Sequence, residues 1–387
     1  MIQDSRSLLA ASLCCMFILL VTAGCVEPSV TSSSLVVTET DRAGTVQWVT
    51  EIKNLEVSPL LYQVSAVFAR CADGGYIVAE SFFSHSAQRQ LRLIRTDHGG
   101  TVVWDRSWPT DHRELAGVIP GNGGDYLVFT VDGYLIRADP QGSGIRQIDL
   151  AAGTGDSVPP GLTVYSPLRL DTGTIAFLTS GAGRSGGDRF VTLAENGTIL
   201  GAVAFARDTD HASLMAVPTS DSNALAGGMV PGPGQDIRIY LIDHDGNPTW
   251  NATVPSDNEV ILTLAPLENH RYGIFTLADA SDTLPPQIRE TILGESGEIL
   301  QVREVCIPGT PTYVSGNGCV FAGTSLPRVG NPTLDFTVTI VNLSGTVLGN
   351  VTSPLNGVTG RATTPVISAI QGGDGGYAFL ASRYNFQ

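Results

Sequence analysis

One hairpin recurs seven times along this chain, and that recurrence restricts the fold more than any other feature of the sequence. In each copy an apolar strand meets a polar turn, a glycine follows, and a second apolar strand returns. RLIRTDHGGTVVW and IYLIDHDGNPTW are two examples. The turn glycines are Gly44, Gly100, Gly142, Gly197, Gly246, Gly297 and Gly345, spaced between 42 and 56 residues apart. A short hairpin turn usually demands one residue at positive φ, which glycine adopts without steric cost. A second hairpin falls between successive copies of the first, as in VFARCADGGYIVAES, LRLDTGTIAFLTS and AIQGGDGGYAFLAS. Two hairpins per repeat give four strands for each unit of about fifty residues.

Composition agrees with a fold made of short strands. Charged residues are only 15% of the chain while glycine (44) and proline (22) are plentiful, which suits tight turns better than long helices. No apolar repeat of helical period is sustained after residue 25. The expected class is therefore all-β, and four strands per repeat is the content of one blade of a β-propeller. Seven copies predict a seven-bladed β-propeller over residues 35–387. The chain starts with one kind of hairpin and ends, at residues 365–383, with the other. Neither end holds a whole blade, so the ring is expected to close through a blade shared between N- and C-terminal strands.

The segments DGGYIVAES and LIRTDHGGTVVW resemble the DGGY…A and LIKTD…G…W repeats of secreted archaeal and bacterial propeller proteins. The Asp41 to Trp48 and Asp97 to Trp104 spacings are also similar to quinoprotein-type propellers, within the wider WD40-like superfold. The resemblance implies the fold and leaves function open, because propellers host many unrelated activities. Trp48, Trp104 and Trp250 recur at one place in the repeat, which predicts packing between blades.

The first segment is an address. Arg6 precedes an apolar stretch from Leu8 to Val21, too short to span a membrane and followed at once by small residues. Residues 1–24 are expected to be a signal peptide. Val21-Thr22-Ala23-Gly24-Cys25 resembles the lipobox of prokaryotic lipoproteins, with Thr22 where Leu or Val is usual. That resemblance implies a lipid on Cys25, a linker over residues 25–34, and a location on the outer face of the cytoplasmic membrane or the cell surface. Among the remaining cysteines, Cys306 and Cys319 are close enough in sequence to form a disulfide outside the cytoplasm, which leaves Cys71 as a buried thiol.

A net charge of −15 would repel phosphate backbones, so nucleic acid is not an expected partner. The six histidines show no paired-ligand spacing, and the cysteines no C-x-x-C, so neither a metal nor a cofactor is expected. No nucleophile elbow or phosphate loop occurs. Asp243-His244-Asp245-Gly246 lacks the later ligands of a calcium loop and reads as turn chemistry. Four N-glycosylation sequons occur at Asn196, Asn251, Asn342 and Asn350, two in outer-hairpin turns and two on outermost strands.

The longer connections, Ser84–Gln90, Gly181–Asp188, Val230–Gln235, Ala280–Pro286 and Pro327–Asn331, should all project from one face. Variable loops on a rigid ring are where recognition usually occurs. The expectation is a non-catalytic binding or scaffold module for a protein or glycan at that face. It would be a monomer or one member of a membrane-associated complex, held to the membrane by its lipid. The alternative is a polysaccharide hydrolase or lyase with its site at the channel mouth.

Overall fold

The computed structural model describes residues 30–41, 45–54, 65–84, 88–112, 114–152, 162–170, 172–180, 188–206, 212–230, 236–256, 259–277, 288–305, 310–315, 318–324, 335–342, 347–354, 366–372 and 376–386. They form antiparallel strands in four-stranded sheets. Sheet I contains β3 (Ser65–Arg70), β4 (Tyr76–Phe83), β5 (Arg89–Thr96) and β6 (Val102–Pro109). Sheet II contains β7 (Leu115–Pro120), β8 (Tyr126–Thr130), β9 (Tyr134–Ala138) and β10 (Ile145–Asp149). Sheet III holds β11 (Thr163–Arg169), β12 (Ile175–Ser180), β13 (Asp188–Leu193) and β14 (Ile199–Ala206). Sheet IV holds β15 (Ala212–Pro218), β16 (Ala224–Met229), β17 (Ile237–Ile242) and β18 (Pro248–Val254). Sheet V holds β19 (Val260–Leu267), β20 (Arg271–Leu277), β21 (Ile288–Leu293) and β22 (Ile299–Val305). In sheet VI only the backbone is described, over β23 (Thr310–Ser315), β24 (Gly318–Thr324), β25 (Asp335–Asn342) and β26 (Val347–Pro354).

The last sheet is split between the chain ends. Its order is β2 (Val46–Asn54), β1 (Val30–Thr40), β28 (Tyr377–Phe386) and β27 (Val366–Gln371). The ladder joining the ends runs from Val30 opposite Phe386 to Thr40 opposite Tyr377. The N-terminal residues supply the outer hairpin and the C-terminal residues the inner one. This strand begins at Val30, and Val30, Ser32, Ser33 and Ser34 pair with β28.

Each sheet stands with its first strand innermost. Neighbouring inner strands touch in the order β3, β7, β11, β15, β19, β23, β27 and back to β3. The arrangement is propeller-like. Middle strands are covered on both faces, which is why YLVFT of β8 and ALAGGM of β16 are buried along their whole length. Outermost strands such as β6 and β10 are mostly exposed. The core lies between sheets: Ile77, Leu91 and Leu93 of sheet I pack on Val118, Val128 and Ile136 of sheet II.

The tryptophans lock this packing. Trp48 meets Tyr76 of the next sheet edge-on at 5.7 Å, and Trp104 meets Tyr126 at 5.7 Å. Trp250 meets Tyr272 at 5.5 Å. Each indole also covers the turn glycine of the next outer hairpin, at Gly100, Gly142 and Gly297 respectively. Where tryptophan is missing, Ile148 and Val203 fill the same place over Gly197 and Gly246. Counting from their own turn glycines, both lie two residues further along than tryptophan does. A shift of two keeps the side chain on the same strand face.

Candidate functional site

At one end of the sheets lie the tight turns, and there aspartates cap the turns while Glu195 and Asp221 reach to the neighbouring sheet. Asp97 Oδ1 accepts the N–H of Gly99 (2.9 Å) and Thr101 (2.8 Å). Asp139 Oδ1 accepts those of Gln141 (3.0 Å) and Ser143 (2.8 Å). Asp243 Oδ1 does the same for Asp245 (3.0 Å) and Asn247 (2.8 Å), so this aspartate does the turn work expected of it. Asp73 accepts Gly75 N–H and pairs with Arg95, whose Nε donates to Tyr126 Oη at 3.0 Å. That guanidinium ties sheet I to sheet II beside Cys71, a buried free thiol. Burial pushes the Cys71 thiol up to about 11, against the pull of Arg95.

At the other end, the loop face, polar side chains reach between sheets. The chain leaves β6 through Thr110 and His112 on its way to β7. Thr110 N–H donates to Arg89 O at 3.0 Å, and His112 N–H to Thr110 Oγ1 at 3.2 Å. Ser81 Oγ donates to His112 O at 3.1 Å and accepts from the Arg89 guanidinium at 3.3 Å. That guanidinium also lies 3.9 Å over the Phe83 ring. His112 Nδ1 lies 2.8 Å from Asp132 Oδ2, in the turn between β8 and β9. The imidazole stacks on Tyr134 with centroids 4.4 Å apart. Burial alone would raise the Asp132 carboxyl, but hydrogen bonds from His112 and Thr130 outweigh it and hold it below its ordinary value.

The exposures in this pair decide its chemistry. The His112 side chain is 7% exposed and that of Asp132 51%. A histidine general base needs the reverse, a buried carboxylate orienting an imidazole whose second nitrogen meets the substrate. Here the buried imidazole orients an accessible carboxylate beside a partly exposed tyrosine.

Sheet V carries a second loop-face cluster. Glu259, just before β19, is 1% exposed and pairs with Arg289; Thr276 Oγ1 donates to its other oxygen. In sheet III, burial raises the Tyr165 hydroxyl, and the nearby Asp188 carboxylate raises it further. Among the described residues no three His, Cys, Asp or Glu side chains gather as a metal would require.

The sequence expected the longer connections at this face. They do join second to third strands in sheets I, III, IV, V and VI, although most of their residues lie outside the described ones. Cys25 and Cys306 lie outside them too, while Cys319 is on β24 with only its backbone described. Asn196 is exposed in its turn, its Oδ1 accepting Thr198 N–H at 2.9 Å, and Asn342 closes β25. Asn251 is exposed on β18 and Asn350 lies on β26, the outermost strands of their sheets. Sequence reasoning missed His112, Asp132 and Tyr134, which occupy a connection and the shortest turn on this face.

These features define an all-β protein of repeated four-stranded sheets in a propeller-like arrangement. No known family model matches the chain, and no curated protein matches it in sequence. Solved structures do match in shape. One is a polysaccharide lyase of a new family, an ulvan lyase solved with a GlcA(1-4)Rha3S saccharide. It has a TM-score of 0.53 and 9% identity over 84% of this chain and 92% of that one. Another is a lignostilbene dioxygenase from Pseudomonas brassicacearum, with a TM-score of 0.51 and 11% identity over the same shares. At such identities the likeness shows the fold alone.

Proposed function

We propose that this chain is an exported, seven-bladed β-propeller, tethered by lipid at Cys25, that acts as a non-catalytic binding module for a protein or glycan at its loop face. The observation that carries the binding reading is the exposed Asp132 carboxylate and Tyr134 ring, held in place by buried His112. A rigid carboxylate beside an aromatic ring suits sugar hydroxyls or a polar peptide at low ordering cost. The cyclic order of inner-strand contacts supports seven blades, and the split sheet supports closure at the chain ends. A Cys306–Cys319 disulfide fits the same oxidising location.

The tether would set the orientation. β1 starts at the loop face, and only Val26–Ser29 separate it from Cys25. Four residues span at most ~14 Å. The binding face would therefore lie near the membrane, which favours ligands presented at the membrane surface.

The test compares capture by the full chain and its variants, using solubilised membranes and a panel of defined polysaccharides. Asp132→Asn and Tyr134→Ala should each lose most of the capture, while Asp245→Asn on the turn face keeps it. Equal capture by all three refutes the site. The same polysaccharides test the second reading, which the likeness to a polysaccharide lyase raises. Appearance of unsaturated sugar ends on uronate polymers would overturn the non-catalytic reading.

A further inference from the structure

We infer that Asn251 and Asn350 are N-glycosylated and that their sugars cover free strand edges at the rim of the ring; this rests on the export reading above. The argument starts from register. In sheet IV, Asn251 stands opposite Tyr240, one pair beyond the bulge at Leu241/Ile242. In sheet VI, Asn350 stands opposite Thr339, one pair beyond the bulge at Ile340/Val341. The two sequons therefore occupy the same ladder position in two sheets.

That position faces solvent in two other sheets. Val302 holds it in sheet V, opposite Thr291, and is 52% exposed. Val49 holds it in the split sheet, opposite Thr38, and is 49% exposed. Trp250, the residue before Asn251, turns the other way and covers Gly297 of the next sheet. Asn251 and Thr253 are both exposed and, two residues apart on a strand, share one face. A transferase can read amide and hydroxyl together from that side.

The strands themselves explain why sugar is useful there. Among the described residues β18 and β26 have no neighbour on their outer side, which leaves their backbone groups open to pairing with another chain. Lysine is the common guard of such edges, and this chain has one lysine, Lys53, which is on β2. The donor class is an oligosaccharide carried on a polyprenyl phosphate or diphosphate. Asparagine Nδ2 attacks the anomeric carbon, a C–N bond forms, and the anomeric C–O bond to phosphate breaks. The phosphate leaves with the bonding electrons, and the amide proton passes to a base.

The experiment is glycopeptide mass spectrometry on the full chain purified from cells that make it, reading the N-terminal peptide in the same run. Both asparagine peptides should be heavier by a whole saccharide. Thr253→Ala should leave Asn251 bare while Thr253→Ser keeps it modified, and Asn251→Gln with Asn350→Gln should raise self-association. Bare Asn251 and Asn350 on a chain cut before Cys25 overturn this inference alone. Bare sites on an uncut chain overturn the export reading together with it. Modified sites whose removal leaves self-association unchanged overturn the edge-covering role.

Discussion

Alanine at Gly100 separates two costs that the repeat imposes on one residue. Gly100 has φ +81°, and a methyl group there would lie 2.4 Å from Trp48 Cε3 and 2.6 Å from Thr50 Oγ1. The left-handed backbone costs an alanine ~1–2 kcal/mol. Forcing the indole aside adds ~1–3 kcal/mol of overpacking. Gly173 is the control, because its φ is +82° but its nearest neighbour, Asn122 Nδ2, is 3.6 Å from the added methyl. Gly173→Ala should therefore cost only ~1–2 kcal/mol. Gly100→Ala should cost ~2–5 kcal/mol, the backbone and overpacking parts together. Trp48→Ala removes the indole but leaves Thr50 Oγ1 at 2.6 Å, so in that background Gly100→Ala should cost less, moving toward but not reaching the cost of Gly173→Ala. Urea unfolding midpoints, compared at unchanged slope, give each difference. If Gly100→Ala and Trp48→Ala add without coupling, the indole does not sit on this turn and the lock between sheets is misassigned.

Three other perturbations test the ion pairs, the loop-face carboxylate and the thiol. Arg92 bridges Asp105 and the fully buried Glu80, so Arg92→Met should cost ~3–5 kcal/mol in urea unfolding, and adding Glu80→Met should recover much of it. The Asp132 carboxyl is held below its ordinary 3.8, so its pairing contributes stability above that pH and loses it as pH falls through the lower folded value. Asp132→Asn should flatten the acid limb of the stability curve below ~4 and leave the limb above pH 7 unchanged. Cys71, raised to about 11, should resist thiol reagents at pH 8 in a Cys306→Ser, Cys319→Ser background, and react once urea unfolds the chain. Fast labelling of the folded protein would contradict its burial.

Much of the fold was legible because its signals are local. Gly100, Gly142, Gly197, Gly246 and Gly297, five glycines chosen from the hairpin pattern, all have positive φ. Asp97, Asp139 and Asp243 cap the turns that their spacing suggested. The tryptophan role was legible for the same reason, since packing repeats with the sequence. Ile148 and Val203 were not, because a two-residue slide along a strand preserves the face while hiding the register. The loop-face site was illegible for a different reason. His112 and Asp132 are twenty residues apart, one between β6 and β7 and the other between β8 and β9, and each looks like an ordinary loop residue. Their meeting depends on how the path from β6 to β7 crosses above sheet II, which no local pattern encodes.

The split sheet links the architecture to the way the chain would present its loop face. Pairing Thr40 with Tyr377 closes a separation of 337 residues. For a flexible chain that closure costs about 5 kcal/mol, growing only with the logarithm of length. The ladder offsets it with apolar burial: Leu35, Val37, Ala378 and Leu380 are each 0 or 1% exposed. One leucine-sized side chain contributes roughly 1.5–3 kcal/mol when fully buried, so two or three suffice. The Val30–Ser34 end of β1 pairs with β28 as well. Its contribution is positional. By keeping the chain in the ladder up to Val30, it brings the start of β1 to the loop face, with Val26–Ser29 between it and Cys25. A lipid there would hold Asp132 and Tyr134 toward the membrane, with the capped turns facing outward.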